Sequence, residues 1–139
     1  MNGKLSVMLV EDEYLIAEMV LRALHEGGFD VMMLHNGAEA WHLLDRSAPP
    51  PVLVTDINAG EGPNGWEIAR YARDKRPDLA VVYMTGASAH DWPIHGVPQS
   101  ILVPKPFTDI EIVTAVCKLV YSPNRPTRSA FLAQPPTRQ

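Results

Sequence analysis

The sequence predicts an α/β fold, (βα)5 in form, with a five-stranded parallel sheet wound on both faces by helices. Three observations carry this expectation. Five short runs are almost continuously apolar, at residues 5–10, 30–34, 52–55, 80–84 and 100–103. Between them lie segments whose apolar residues recur at helical spacing. Cap and turn residues punctuate the junctions. Strands that alternate with helices form right-handed βαβ units, and near-continuous apolar strands suit a parallel sheet buried on both faces better than a half-exposed antiparallel one.

Each element has a local reason. The run at 5–10 ends at three acids, Glu11, Asp12 and Glu13. Residues 14–25 then read as a helix with Leu15, Ile16, Met19, Val20, Ala23 and Leu24 inward, stopped by Gly27-Gly28. After strand two, Asn36 offers an N-cap with Glu39 three residues on, and helix two buries Ala40, Trp41 and Leu44. Pro49-Pro50-Pro51 breaks the chain ahead of strand three, which ends at Asp56. A Gly- and Asn-rich loop, 58–64, leads to Gly65, which opens helix three to about Arg76. Strand four ends at Thr85-Gly86. Residues 88–96 could form a fourth helix, but Pro93 argues for a short or irregular one. After strand five, Thr108-Asp109-Ile110-Glu111 is a capping box, and it starts helix five with Ile112, Val113, Val116, Leu119 and Val120 inward.

Composition bounds the function. The chain has 139 residues, enough for one domain with a sizeable core. The net charge is −4, with no basic footprint for nucleic acid. Charge is uneven: the segment from Ser122 carries Arg125, Arg128 and Arg138 and no acid, which leaves residues 1–121 at −7. That segment, SPNRPTRSAFLAQPPTRQ, has four prolines and no period, and is expected to be a disordered tail. The single cysteine, Cys117, excludes an internal disulfide and a cysteine-based zinc cage, and is expected to be a buried thiol. No apolar run reaches membrane-spanning length and no signal-peptide pattern opens the chain, so the expected location is cytoplasmic, with no membrane partner. The five histidines show no metal spacing and are expected at the surface. Trp41 and Trp66 fit helix-to-sheet packing, whereas Trp92 suits either a partner anchor or the core.

The strand ends carry the chemistry. In open α/β sheets, ligands bind beyond the carboxyl ends of the strands. That rim would collect Glu11 and Asp12 from strand one, Asp56 from strand three, Thr85 from strand four and Lys105 after strand five. Three gathered carboxylates repel unless a hard cation or a proton intervenes. Mg²⁺ takes oxygen ligands and keeps several waters, so Asp12, Asp56 and the Asn58 backbone carbonyl could ligate it, with Glu11 holding a bound water. The cation would bind even before any phosphate. Lys105 and the Thr85 hydroxyl suit an incoming phosphoryl anion, and Asp56 is placed to attack phosphorus. Glu13 is expected only to begin a helix, stabilised by its dipole.

Val10-Glu11-Asp12-Glu13, the Asp56 ending VLVTD, Gly65, Met84-Thr85-Gly86 and Lys105-Pro106-Phe107, in this order, resemble the receiver domain of bacterial two-component response regulators. The likeness spans residues 5–121, and residues 1–121 are taken as the domain. It implies a flavodoxin-like strand order, 2-1-3-4-5. It implies that Asp56 accepts a phosphoryl group from a phosphohistidine on a sensor histidine kinase or phosphotransfer protein, that Glu11 and Asp12 form the Mg²⁺ pocket, and that Thr85 and Lys105 bind the phosphoryl oxygens. A cis Lys105–Pro106 bond is also implied. Such a protein catalyses only its own phosphorylation and dephosphorylation.

The sequence departs from the family pattern in places. Leu102 stands where a Tyr or Phe usually rotates with the Thr. The stretch between Thr85 and Lys105 is slightly short, and the loop from Asp56 to Gly65 about one residue long. Asn58 and Ala87 occupy positions that tune phosphoryl lifetime. These features resemble a subgroup with a Thr-Gly motif and an altered fourth helix. The 18 residues after 121 are too few for an effector domain, so the expectation is a single-domain regulator that signals by contact with a downstream protein or acts as a phosphoryl sink. A second copy of the chain is a further candidate partner. The rival readings are a pseudo-receiver or a receiver fragment of a hybrid kinase, serving as an interaction module. A haloacid dehalogenase-type phosphatase would need Asp at position 58, and a flavodoxin-like FMN carrier would meet repulsion from Glu11, Asp12 and Glu13.

Overall fold

A computed structural model describes residues 4–121. The expectations for the tail lie outside the described residues. Five parallel strands, β1 (Ser6–Val10), β2 (Asp30–Leu34), β3 (Val52–Asp56), β4 (Ala80–Thr85) and β5 (Ser100–Pro104), form one sheet in the order β2-β1-β3-β4-β5. The helices are α1 (Tyr14–Glu26), α2 (Gly37–Arg46), α3 (Gly65–Lys75), α4 (Trp92–His95) and α5 (Asp109–Tyr121). The order reverses between β1 and β3, and their carboxyl ends define the rim on which ligands of such sheets bind.

The pleat divides the core in two. Val7 and Leu9 of β1 face a cluster with Val20 and Leu24 of α1 and Ile112 and Val116 of α5. Met8 and Val10, on the opposite face, join Ala40 and Leu44 of α2 and Ile68 and Ala72 of α3. Every residue of β3 and β4 is buried, as central parallel strands require.

The expected caps are present, with one addition. The Asn36 side chain accepts from the Glu39 N–H at 2.8 Å, while Glu39 reaches the His35 N–H at 2.8 Å, one residue earlier than a reciprocal box. Thr108 and Glu111 close the box ahead of α5. At α3 the sequence also encodes a box: Asn64 accepts from the Glu67 N–H at 3.0 Å and Glu67 accepts from the Asn64 N–H at 2.9 Å.

Some placements correct the sequence reading. Leu15 is 80% exposed; the inward stripe of α1 is Ala17, Val20, Ala23 and Leu24. A helix turns 100° per residue, which puts Leu15 on the opposite side of α1 from Ala17, Val20 and Leu24. Cys117 is half-buried at the edge of the core rather than enclosed. The five histidines are exposed. Trp92 takes the core alternative: it packs against the second cluster, and its Nε1–H donates to Ser100 Oγ at 3.0 Å.

The fourth helix is as reduced as the sequence implies. A single 3-10 turn, Ala89–Asp91, runs into the four residues of α4, with Pro93 in its first turn. Side chains from α3 hold this segment: Arg70 donates to the His95 carbonyl at 3.1 Å and Arg73 to the Pro98 carbonyl at 2.7 Å. Among the described residues, no helix is long and apolar enough to cross a membrane.

Candidate functional site

The rim residues converge because each parallel strand carries its last polar residue to the same end of the sheet. In register, Val10 of β1 lies beside Thr55 of β3, and Asp56 beside Met84 of β4. Glu11 continues β1 by one residue, its N–H donating to the Leu34 carbonyl at 3.1 Å. Asp56 is 8% exposed and Glu11 is fully buried, whereas Asp12 is exposed. One oxygen from each of Glu11, Asp12 and Asp56 lies within 4.8 Å of the others.

Lys105 reaches into this group. Its Nζ is 3.0 Å from Glu11 Oε1, 3.6 Å from Asp56 Oδ2 and 3.6 Å from Glu13 Oε1. The contact with Glu13 corrects the sequence reading. Glu13 precedes the first turn of α1 as its cap residue and makes no side-chain cap bond; its carboxylate lies by the lysine instead. The signal was available, since any acid next to the Glu11-Asp12 pair sits on the same rim. The Lys105–Pro106 bond is cis. The Lys105 N–H donates to the Thr85 carbonyl at 2.8 Å, tying β5 to β4 beside the site.

Electrostatics follow from burial. Glu11 loses most of its water, which pushes its carboxyl up to about 6; the Asp56 charge adds to this, while the Glu13 N–H at 3.0 Å and Lys105 oppose it. Asp56 is also raised, first by desolvation, against which Lys105 and the Asn58 and Ile57 N–H groups act. For Lys105, burial works downward, but Glu11, Asp56 and Glu13 outweigh it and hold the ammonium above its ordinary value. One ammonium does not neutralise this many acids. Two buried or nearly buried carboxylates and an exposed Asp12, all with oxygens close together, fit a hard divalent cation with oxygen ligands. Of these three Asp12 alone is exposed, while the Glu11 oxygens already face Lys105 and the Glu13 N–H.

Thr85 is buried beside the site, and its Oγ1 accepts from the Ala87 N–H at 3.2 Å and the Ser88 N–H at 2.9 Å. Its hydroxyl therefore closes the turn that leads into residues 89–95. Asn58 is exposed, immediately past the buried Ile57. The Gly65 N–H donates to the Ile57 carbonyl at 2.6 Å, and a Cβ on Gly65 would lie 2.5 Å from the Asp56 carbonyl oxygen, so only glycine lets α3 start this close to the acid.

The aromatic missing from position 102 has a counterpart on the neighbouring strand. Tyr83 of β4 pairs with Leu102 in register, is fully buried, and accepts from the Val97 N–H at 3.1 Å. Burial pushes its phenol up to about 12. Trp66 packs on it with ring centroids 4.7 Å apart. The sequence reading did not single out Tyr83; an aromatic in a central strand gives no sign of where its hydroxyl will end.

Comparison with known proteins agrees with this geometry. Residues 7–117 match the family described as "Response regulator receiver domain". The response regulator receiver protein CpdR of Brucella abortus is 35% identical over 83 residues, 60% of this chain and 68% of that protein. The transcriptional regulatory protein TrcR of Mycobacterium tuberculosis is 30% identical over 136 residues, 96% of this chain; the chain spans only half of that relative's length, 50%. A crystal structure of a response regulator receiver protein from Sinorhizobium medicae superposes with a TM-score of 0.82 at 35% identity, covering 86% of this chain and 97% of that one.

Proposed function

The chain belongs to the response regulator receiver domain family, and from that premise we propose that Asp56 accepts a phosphoryl group from a phosphohistidine on a sensor histidine kinase or histidine phosphotransfer protein. The observation that carries this reading is the placement of a nearly buried Asp56 carboxylate 3.6 Å from the Lys105 ammonium, inside a group of acids that a divalent cation would complete. Phosphorylation on aspartate and dependence on Mg²⁺ are general to the family.

An oxygen of Asp56 forms the new P–O bond as the P–N bond to the imidazole breaks, and the imidazole leaves with the bonding pair. The carboxylate must be ionised to attack, and Lys105 favours that form against the burial that raises it. Lys105 then balances negative charge on the phosphoryl oxygens, and the Thr85 hydroxyl is the nearby donor for one of them. Asp12, Asp56 and the Asn58 carbonyl would hold Mg²⁺, with Glu11 reaching it through water. Bound there, the cation would neutralise both the acid group and the incoming phosphoryl oxygens. If Thr85 turns toward the phosphoryl group, the Ala87 and Ser88 N–H groups lose their acceptor, so the signal would pass to the 86–99 segment. Tyr83, rather than residue 102, anchors that segment.

The protein turns over no external substrate beyond its own phosphorylation and dephosphorylation. It acts in the cytoplasm, through contact with a downstream protein or as a phosphoryl sink. The test is incubation with acetyl phosphate and Mg²⁺ followed by intact mass. One added phosphate on the wild type and none on Asp56→Ala is expected; no gain on the wild type, or equal gain on both, sinks the reading. A second reading, a receiver module working within a longer protein such as a hybrid kinase, is supported by the 27% identity over 124 residues to the sensor kinase CckA of Brucella abortus, of which the chain spans 13%. It predicts the same acceptor.

A further inference from the structure

The loop between β3 and α3 rests on the first turn of α2. The Gly37 N–H donates to the Ala59 carbonyl at 3.1 Å, and the Ala38 N–H donates to the Glu61 carbonyl at 2.9 Å. These are N–H groups that a helix start leaves without intrahelical partners, and here the loop supplies the acceptors. The approach is close. A Cβ on Gly37 would lie 1.9 Å from the Pro63 carbonyl oxygen, and a Cβ on Gly62 would lie 2.3 Å from the Ala38 nitrogen. Gly62 is also left-handed, at φ +98. Between the two hydrogen bonds, Gly60 crosses over the acid group, its Cβ position 3.6 Å from Asp12 Oδ2.

Asn58 is thus held from both sides. Its N–H favours the ionised form of the Asp56 carboxylate, and the next carbonyl in the chain, that of Ala59, is held by α2. The Asn58 carbonyl lies between these two fixed points. We propose that the start of α2 is a clamp that orients the Asn58 carbonyl and the Gly60 crossing toward the acid group, which makes Gly37, Ala38 and Gly62 positioning residues for the cation site. The added length of this loop has a physical role in that case: it spans from the β3 end to α2 and back to Asn64. The proposal rests on the Mg²⁺ site described above.

The molecule contains its own control. Gly28 has φ +97, almost the same as Gly62, with nothing within 4 Å of its Cβ position. Gly28→Ala imposes the same backbone strain far from the loop; Gly62→Ala adds the collision with Ala38. A third variant, Ala38→Pro, removes the N–H that Glu61 accepts, at a first-turn position where proline is tolerated. It carries the test if Gly62→Ala does not fold.

MgCl₂ titration calorimetry on protein freed of metal with EDTA, together with thermal unfolding, reads the effect without phosphotransfer. Gly62→Ala and Ala38→Pro are expected to bind Mg²⁺ roughly tenfold more weakly, the size typical of losing a support behind a metal ligand. Gly28→Ala should lower the melting temperature and leave Mg²⁺ affinity at the wild-type value. Wild-type affinity in Ala38→Pro or in folded Gly62→Ala overturns the clamp, and so does an equal loss in Gly28→Ala. Absence of binding in the wild type, matching Asp12→Asn, overturns the cation site itself and the clamp with it.

Discussion

Replacing Glu11 with Gln should remove from the metal-free protein a loss of stability that sets in as pH rises to neutral. Glu11 is fully buried, and burial outweighs the help of the Glu13 N–H and of Lys105, so its carboxyl lies at about 6 against an ordinary 4.5. The native state therefore holds this proton more tightly than the unfolded chain does. Its contribution to stability is complete below pH 4.5 and is lost as pH rises through 6, a loss of about 2 kcal/mol once the group is ionised in both states. Gln keeps the shape and one oxygen for the Glu13 N–H and does not titrate, but its NH2 then faces the Lys105 Nζ that Glu11 Oε1 meets at 3.0 Å, a pH-independent cost set against the gain. In EDTA, urea unfolding should show the stability of Glu11→Gln relative to wild type rising by about 2 kcal/mol between pH 4.5 and pH 7.5. Saturating Mg²⁺ should offset or reverse that rise, because a ligand at 100 times its Kd adds about 2.7 kcal/mol to the state that binds it. A difference that does not grow between the two pH values would refute the argument that this acid is held at a cost the cation relieves.

Other outcomes follow from the same geometry. Mg²⁺ affinity of the wild type, read by calorimetry, should rise as pH increases through about 6, where Glu11 ionises; a flat profile from pH 5 to 7 would contradict that. Tyr83→Phe leaves the buried Val97 N–H without its acceptor and should cost about 1–3 kcal/mol in urea unfolding, while acetyl phosphate still adds one phosphate at Asp56. Asn64→Ala opens the capping box of α3 and should cost about 1 kcal/mol by the same measurement. Gly65→Ala forces a Cβ to within 2.5 Å of the Asp56 carbonyl oxygen, and should lower both the melting temperature and the rate of phosphate gain.

Most of the fold was legible because its signals are local. The apolar runs, the Asn36 and Thr108 caps and the Gly27-Gly28 stop each act within a few residues, and all appear at or near the expected positions. The reduced fourth helix was legible from Pro93 for the same reason. Leu15 was misplaced because it is apolar yet stands, at 100° per residue, on the opposite side of α1 from Val20 and Leu24.

The sequence by itself determined which residues reach the rim: alternating strands and helices send every strand's carboxyl end the same way, so Glu11, Asp12, Asp56, Thr85 and Lys105 meet whatever the loops do. The tertiary structure alone decided how they share charge and what supports them. That Lys105 lies on Glu11, Asp56 and Glu13 together, that the buried Tyr83 hydroxyl accepts from the Val97 N–H, and that α2 grips the loop after Asp56 all depend on distances between segments far apart in the chain. Residue type and spacing carry no measure of such distances, because they are set by how two packed layers fit against one sheet.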